Sequence, residues 1–429
     1  MNMEEKKLEF PAGFLWGAAT SAHQVEGNNT NCDWWAWEQL HQPSDKQSGL
    51  ACDHYQRYEQ DFDLAKRLEH NAHRLSIEWS RVQPQEGVWS DHEFDHYRRV
   101  LQALKDRGLT TLVTLHHFTS PLWLVRKYGG WTNKKAAYLF TQYAQETAKR
   151  LNDLIDYYIT INEPLVYTAQ TYFLGNWPAP YQNQSDSPAK LPSMLVQSIK
   201  TYQATQTMIK AHCLAYQAIK KISSKPVGIV KNCAAVEPAD PNRRWDRLFT
   251  WAWRYLQNQY FLDRIRHATD FIGLNHYFHE SISMSKKLIK DIFHPGHPLI
   301  SRNGNDSKQS DLGWGISPKG IYLTLNDLKK YNKPIIITEN GLADSQDANR
   351  AEYIYGYLKY VHQAIQEGAD IRGYLHWSLI DNFEWAFGFW PRFGLIEVDY
   401  KTMERRIRPS AWEYAKICKN NGLILDKMP

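Results

Sequence analysis

Eight short apolar runs recur along the chain, and stretches whose apolar residues return every three or four positions separate them. The runs span 14–20, 72–79, 110–117, 157–162, 227–232, 271–277, 334–339 and 372–379. They are nearly continuous in Ile, Val, Leu and aromatic residues rather than alternating with polar ones, the pattern of strands buried on both faces of a parallel sheet. Between them, Tyr55, Tyr58, Phe62, Ala65 and Leu68 fall on one helical face, as do Phe94, Tyr97, Val100, Leu101 and Leu104, and later Ile354, Tyr357, Leu358, Val361 and Ile365. Gly108 and Gly368 stand where two of these helices should stop. The stretch 193–221 reads as one long helix. Eightfold alternation of strand and helix predicts an α/β fold, a (β/α)8 TIM barrel. Length alone would favour about three domains. No Pro-rich run or Gly/Ser tract divides the chain, so one barrel domain is expected over residues 1–429. A doubly wound open sheet is the runner-up. Such a sheet would place a Gly-rich phosphate loop after its first strand, where this chain has Ser21-Ala22-His23-Gln24.

Charge and composition set aside several classes of partner. The net charge of +5 is spread along the chain, and its densest basic cluster is Arg405, Arg406 and Arg408. A nucleic-acid footprint needs a concentrated stripe or a binding motif, so no nucleic-acid partner is expected. No run of about 18 apolar residues occurs, so neither a transmembrane helix nor a membrane partner is expected. The charged stretch 1–7 has no apolar segment behind it, which reads as no signal peptide. Cys32, Cys52, Cys213, Cys233 and Cys418 form no C-x-x-C pair and no zinc spacing, and an odd count without a leader fits a reducing cytoplasm. Asn28-Asn29-Thr30 and Asn183-Gln184-Ser185 match the glycosylation sequon, which matters only on a secretory route. The 17 Trp and 25 Tyr are read first as core filling, since large aromatics are mostly buried. Their faces would also suit the C–H face of a pyranose.

The active site of a parallel barrel lies at the C-terminal ends of its strands. The polar residues there are Gln24, Glu78, His116, His117, Asn162, Glu163, Asn232, Asn275, Tyr277, Glu339, Asn340 and Trp377. Glu163 and Glu339 stand out, each ending an apolar run beside an asparagine. Burying an unpaired carboxylate is expensive, so each needs a reason. The pair could be salt-bridged, with Arg74 serving one of them. It could hold a metal, or it could cleave glycosides. Glycosidic cleavage needs a proton on the leaving oxygen and electron density at the anomeric carbon, which two carboxyls of split pKa supply. Carboxyls about 5–5.5 Å apart give retention and a wider gap gives inversion. Spacing along the chain does not choose among the three readings.

At these residues the sequence resembles glycoside hydrolase family 1, the β-glucosidase family. The likeness begins at Phe10-Pro11-Ala12-Gly13-Phe14-Leu15-Trp16-Gly17 and Thr20-Ser21-Ala22-His23-Gln24-Val25-Glu26-Gly27. It ends near Arg392-Phe393-Gly394-Leu395 and Arg408-Pro409-Ser410. Thr160-Ile161-Asn162-Glu163-Pro164 resembles the acid/base motif, and Ile337-Thr338-Glu339-Asn340-Gly341 resembles the nucleophile motif. The resemblance implies that Glu163 is the general acid/base and Glu339 the nucleophile of a retaining mechanism. It implies that Arg74 and Tyr277 keep Glu339 ionised at a low pKa, with Asn275 and Phe393 completing the pocket. It assigns Asn162 to the sugar 2-hydroxyl and Gln24, His117 and Glu384 to other hydroxyls. Trp377 would stack under the ring, Trp385 would donate from its indole, and Asn232 would support the aglycone side.

Four residues depart from the common family pattern. His117-Phe118-Thr119 stands where His-Trp-Asp is frequent, Leu165 stands where Trp often lines the aglycone site, and Glu78 stands where many relatives have Ser. Phe118 and Leu165 bear on the aglycone; a structural salt bridge is the default for Glu78. A phospho-glycosidase is disfavoured because Asp381-Asn382-Phe383-Glu384-Trp385 keeps the glycone pair, whose Glu384 would repel a phosphate. The myrosinase reading fails because the acid/base Glu163 is present. The expectation is a β-glucosidase-type hydrolase of terminal β-D-glycosyl residues, with β-galactosidase or β-fucosidase activity beside it. It takes a small β-glycoside or oligosaccharide and needs no metal or cofactor. The sequence sets no oligomeric state. The alternatives are a transglycosylase using the same site and a non-enzymatic glycan-binding barrel.

Overall fold

The computed structural model describes residues 7–178, 191–283 and 308–424, and the sequon at Asn183 lies outside the described residues. Among these residues, eight parallel strands close into a barrel. They are β1 (Leu15–Ala19), β2 (Ala72–Ser76), β3 (Thr110–His116), β4 (Tyr157–Asn162), β5 (Val227–Asn232), β6 (Phe271–Asn275), β7 (Ile335–Asn340) and β8 (Ile371–Trp377). Sequence neighbours pair around the ring, and β8 closes on β1. The expected strands are all present. Three end two or three residues earlier than expected: β2 at Ser76, β6 at Asn275 and β8 at Trp377, so Glu78 and Tyr277 lie in the loops beyond them.

A helix follows each strand. They are α1 (His54–Arg67), α2 (Asp91–Asp106), α3 (Lys135–Leu151), α4 (Leu191–Lys220), α5 (Arg244–Arg254), α6 (Pro318–Leu328), α7 (Arg350–Gln366) and α8 (Pro409–Asn420). A π-turn, Tyr255–Gln259, carries α5 into Tyr260–Ile265. The expected helical faces are the buried faces of α1, α2 and α7. Gly108 and Gly368 follow α2 and α7 with φ of 69° and 88°. There the chain turns out of the helix in the left-handed region, where glycine has no Cβ penalty. A short antiparallel pair, Lys7–Glu9 with Gly422–Ile424, crosses the end opposite the active site.

One side chain from each strand fills the barrel axis: Leu15, Ala72, Leu112, Ile159, Val230, Phe271, Ile336 and Leu375. Side chains alternate along a strand, so the residues two positions further on make the next layer. That layer contains Arg74, Thr114, Asn232, Thr338 and Trp377 beside Gly17 and Gly273, and of the five named side chains only Trp377 is apolar. In β4 and β7 the simple alternation breaks. The register of β4 on β5 shifts between Ile159 and Asn162, and that of β7 on β6 shifts between Ile337 and Glu339. Ile161 and Ile337 accordingly pack outward into the helical shell, while Asn162 and Glu339 face the mouth. Irregularities of this kind re-aim side chains next to active sites.

The ring is tight where β1 meets β2. A Cβ on Gly17 would lie 1.9 Å from the carbonyl oxygen of Ala72. Gly17→Ala is therefore expected to cost about 1–3 kcal/mol of stability, as overpacked sites do. The check is the midpoint of a urea unfolding curve, and a wild-type midpoint would contradict the close approach.

Candidate active site

Arg74 comes from the middle of β2 and is fully buried. Its Nη1 donates to Glu339 Oε1 at 2.6 Å, and its Nη2 donates to Asn162 Oδ1 at 2.7 Å. Its Nε donates to Thr114 Oγ1 at 3.1 Å. One guanidinium thus ties together residues of β2, β3, β4 and β7. A rigid fork of five N–H donors suits this task, which a lysine could not perform.

The asparagines take their orientation from this arginine. Asn162 Oδ1 also accepts from Asn275 Nδ2 at 3.2 Å, so the Asn162 amide nitrogen must face His117, at 3.3 Å from Nε2. His117 Nε2 is then the acceptor and Nδ1 carries the ring proton. Burial, with the nearby Arg74 charge, holds the His117 pKa well below its ordinary value, so the ring is neutral. Nδ1 is buried and finds no partner among the described residues. Asn275 is fixed in the same way: Thr338 Oγ1 donates to its Oδ1 at 2.8 Å, which leaves its nitrogen for Glu163.

The two glutamates stand in different company. Glu163 Oε1 accepts from Asn275 Nδ2 at 2.7 Å and from Asn232 Nδ2 at 3.1 Å. Oε2 is left as the oxygen able to carry a proton. Burial, and then the charge on Glu339, push the Glu163 pKa up to about 7. Glu339 has Arg74 on Oε1, and the Tyr277 hydroxyl donates to Oε2 at 2.7 Å. Burial still raises its pKa above the usual carboxylate value, although Arg74 and Tyr277 oppose that shift. The expected low value for Glu339 is therefore corrected: desolvation outweighs the ion pair. Of the two, only Glu339 has a cation within hydrogen-bond reach, which favours its anion, and that charge adds to burial in raising Glu163. A guanidinium on Glu339 also repels a divalent cation, which weighs against the metal reading, and no cluster of three or more His, Cys, Asp or Glu fit for a metal occurs among the described residues.

Glu163 itself sits at φ 43°, ψ 57°, in the left-handed region, just before a short helix that Pro164 opens. Phe118 and Trp385 also have positive φ, of 72° and 54°. Non-glycine residues held there cost about 1–3 kcal/mol each and gather at functional sites.

The remaining expected residues form the walls. Trp377 Nε1 donates to Glu384 Oε1 at 3.1 Å, and the Trp377 ring packs with Phe393. Trp385 lies parallel to His23, with ring centroids 5.7 Å apart, and to His117, at 6.2 Å. Phe118 packs on Tyr167, Trp177 and Trp385. Leu165 lies half-buried two residues beyond Glu163. Gln24 is more committed than expected: its amide nitrogen donates to Asn382 Oδ1 and the Phe383 carbonyl, and its Oε1 accepts from Ser21. Asn232, expected to support the aglycone side, donates to the Glu163 carboxyl at 3.1 Å. Burial pushes Glu384 up to about 8, so it is protonated at neutral pH and does not repel a phosphate by fixed charge.

Among the described residues Glu78 makes no salt bridge, against the default reading. Its Oε1 caps the short helix Trp79–Val82 through Ser80, and its Oε2 accepts from Thr119 Oγ1 at 2.8 Å. The neighbouring Arg81 pairs with Glu26 instead. Glu78 and Thr119, two departures from the family pattern, are thus bonded to each other. His116 packs among Trp131, Phe140 and Tyr167 and touches Ser120, a structural position. Sequence reading missed Thr114, Thr338, Trp177 and also Trp314, which packs on Tyr277 and Phe393. Thr338 could have been flagged by its place beside Glu339. Trp177 and Trp314 sit in loops without periodicity and gave no signal.

Comparison with known proteins agrees with this geometry. The model of glycosyl hydrolase family 1 matches residues 6–266 and 261–423. The chain is 32% identical to beta-glucosidase A of Thermotoga maritima, over 97% of this chain and 99% of that protein. It is 30% identical to a beta-galactosidase of Pyrococcus woesei, over 96% and 98%. Among solved structures, a beta-glycosidase from Pyrococcus horikoshii superposes with a TM-score of 0.86 at 37% identity, covering 99% of this chain and 98% of that one. A closed parallel barrel with two glutamates at its mouth is the architecture of a sugar-cleaving enzyme. The chain belongs to glycosyl hydrolase family 1.

Without Arg74, Glu339 loses its cation. In Arg74→Met the Glu339 carboxyl is expected to titrate at higher pH than in the wild type, because the shift due to burial is no longer opposed. Infrared titration of the protonated carboxyl band, assigned with Glu339→Gln, measures this. An unchanged titration would show that the ion pair does not govern Glu339.

Proposed function

We propose that this chain is a retaining β-glycosidase of the β-glucosidase type, built as one barrel domain, with Glu163 as the general acid/base and Glu339 as the nucleophile. The observation that carries the reading is the division of partners between two buried carboxyls. Glu339 has an arginine and a phenol, which favour its anion. Glu163 has two amide donors on one oxygen and a pKa raised to about 7. One carboxyl is poised to attack while the other holds a proton.

In the first step Glu163 Oε2–H protonates the glycosidic oxygen as Glu339 attacks the anomeric carbon from the opposite face. The C–O bond to the aglycone breaks, its electron pair takes the proton, and a covalent glycosyl-enzyme forms. Esterification removes the charge of Glu339. Since that charge is one cause of the high Glu163 pKa, Glu163 becomes more acidic at this point. It is then the anion that accepts a proton from water in the second step. Arg74, Asn275 and Tyr277 hold the pair in place. Asn162 would meet the sugar 2-hydroxyl, and the neutral His117 offers an Nδ1–H donor beside it. Trp377, Glu384, Trp385, Phe393 and the Oε1 lone pair of Gln24 complete the glycone pocket. Glucose, with galactose and fucose accepted, is the glycone we assign. Phe118 and Leu165 offer apolar surface to a small aglycone or oligosaccharide. The five cysteines stand as free thiols, which supports a cytoplasmic site of action.

Azide separates the two roles. With an activated aryl β-glucoside, Glu339→Gly plus azide is expected to yield an α-glycosyl azide, since azide attacks where the nucleophile would. Glu163→Ala plus azide is expected to yield the β-glycosyl azide through the intact glycosyl-enzyme. Glu163→Ala should also slow substrates with poor leaving groups about 10²–10⁴-fold, with little effect on activated ones. Product configuration by proton NMR decides, and exchanged or identical outcomes would reverse or refute the assignment.

The pH profile of kcat/KM should be bell-shaped. Activity requires Glu339 ionised, so it falls as acid protonates that group. It also requires Glu163 protonated, so it falls as pH rises through about 7. A profile flat through neutrality would contradict the acid role of Glu163.

A further inference from the structure

Glu78 takes no part in the chemistry described so far. It is a buried carboxyl just beyond β2, and a carboxyl at that depth without an ion pair needs a reason. Its bonds run in two directions. Oε2 accepts from Thr119 Oγ1 at 2.8 Å, in the loop after β3. Oε1 lies 2.8 Å from Ser80 Oγ, which in turn lies 2.9 Å from Asn29 Oδ1. Asn29 Nδ2 is 3.2 Å from His23 Nδ1. All five side chains are buried. Ser80 has one hydroxyl proton for two acceptors. A proton on Glu78 Oε1 serves both: Glu78 donates to Ser80, Ser80 to Asn29, and Asn29 to His23. Burial raises the Glu78 pKa in that direction.

The two ends of this chain of bonds meet again at Trp385. At one end, His23 lies within 10° of parallel to the Trp385 ring. At the other, Thr119 follows Phe118, whose ring meets Trp385 edge-on at 5.3 Å and 70°. His117, next in the same loop, lies within 14° of parallel to Trp385. Phe118 and Trp385 both hold positive φ, a conformation that persists only where the surroundings over-determine it. Ser120 is anchored separately, its backbone N–H donating to Asp33 at 2.8 Å. His117 hangs on the Arg74 network through Asn162, and His23 hangs on Glu78. Trp385 is the ring at which the two networks meet.

We propose that Glu78 is a positioning residue of the glycone pocket: through Thr119 on one side, and through Ser80, Asn29 and His23 on the other, it sets the pose of the Trp385 indole that meets a sugar hydroxyl. This role presupposes the glycone pocket assigned above. Glu78 touches no reacting atom and acts through Trp385. A carboxyl reaches both loops at once because it has two oxygens. Glutamine keeps both bonds, its oxygen accepting from Thr119 and its nitrogen donating to Ser80, whereas alanine keeps neither.

The test labels the full chain with 5-fluorotryptophan and assigns the Trp385 fluorine resonance with Trp385→Phe. Glu78→Ala and Thr119→Val should each move that resonance. Each should also lower kcat/KM on an activated aryl β-glucoside about tenfold. Glu78→Gln should leave the resonance in place and kcat/KM within about twofold of the wild type. In a Trp385→Ala background, Glu78→Ala should lower kcat/KM by less than about twofold, because the ring it positions is gone. A residue serving only the stability of the two loops gives equal losses in both backgrounds. Should Glu78→Ala fail to fold, Thr119→Val in the same two backgrounds decides. A resonance unmoved in the folded variants, equal losses in the two backgrounds, or a Glu78→Gln variant as impaired as Glu78→Ala overturns the proposal. A wild type that hydrolyses no β-glycoside refutes the glycosidase reading instead, and the resonance then judges Glu78 by itself.

Discussion

The site depends on a positive charge buried where β2 crosses the barrel. Arg74 has no water to solvate it, and an unpaired guanidinium at that depth would cost several kcal/mol. Its donors must therefore find acceptors on other strands, and they do so on Thr114, Asn162 and Glu339. Each acceptor is held in turn. Asn162 can face Arg74 only with its oxygen, so its nitrogen turns to His117 and fixes that ring's tautomer. Asn275 takes the remaining lone pair of the Asn162 oxygen and hands its other proton to Glu163. The protonation pattern of five side chains follows from one guanidinium.

The network also explains how two similar carboxyls are kept different. Both are buried, and burial raises both. What separates them is the kind of donor each meets. Neutral amides stabilise the Glu163 anion only in part, whereas Glu339 has a full positive charge within hydrogen-bond reach. The anion on Glu339 then acts across the pocket on Glu163. The difference is thus sustained by the pair itself, and it collapses when the charge on Glu339 is spent.

The fold was legible because its signal is repeated eight times. Each buried parallel strand is a near-continuous apolar run, and ends of runs are where barrel chemistry sits, so Glu163 and Glu339 could be picked out before any resemblance was invoked. Their separate roles could not: chain spacing left a salt bridge and a metal site open, and only the motifs divided acid from nucleophile. Other features had no local signature. The shifts in register before Asn162 and before Glu339 involve a single residue each, and a period-two reading would have sent one member of each pair the wrong way. The cap and hydroxyl contacts of Glu78 join a loop after β2 to a loop after β3, a meeting set by the barrel and not by the chain. Trp177 and Trp314 come from aperiodic loops for the same reason. Desolvation of Glu339 was underestimated because burial depth is a property of the assembled ring.

The layer of eight apolar side chains across the barrel axis closes the barrel below the site, so among the described residues the axis leads out by the mouth. Whatever enters along the axis leaves the same way. On the retaining mechanism proposed above, the departing half of a cleaved molecule leaves by the mouth before a second reactant approaches the covalent intermediate, one out, then one in. The identity of the second reactant is then a matter of which molecule first fills the vacated space, water or another hydroxyl compound. On that mechanism, the shape of the mouth bears on which of them arrives first.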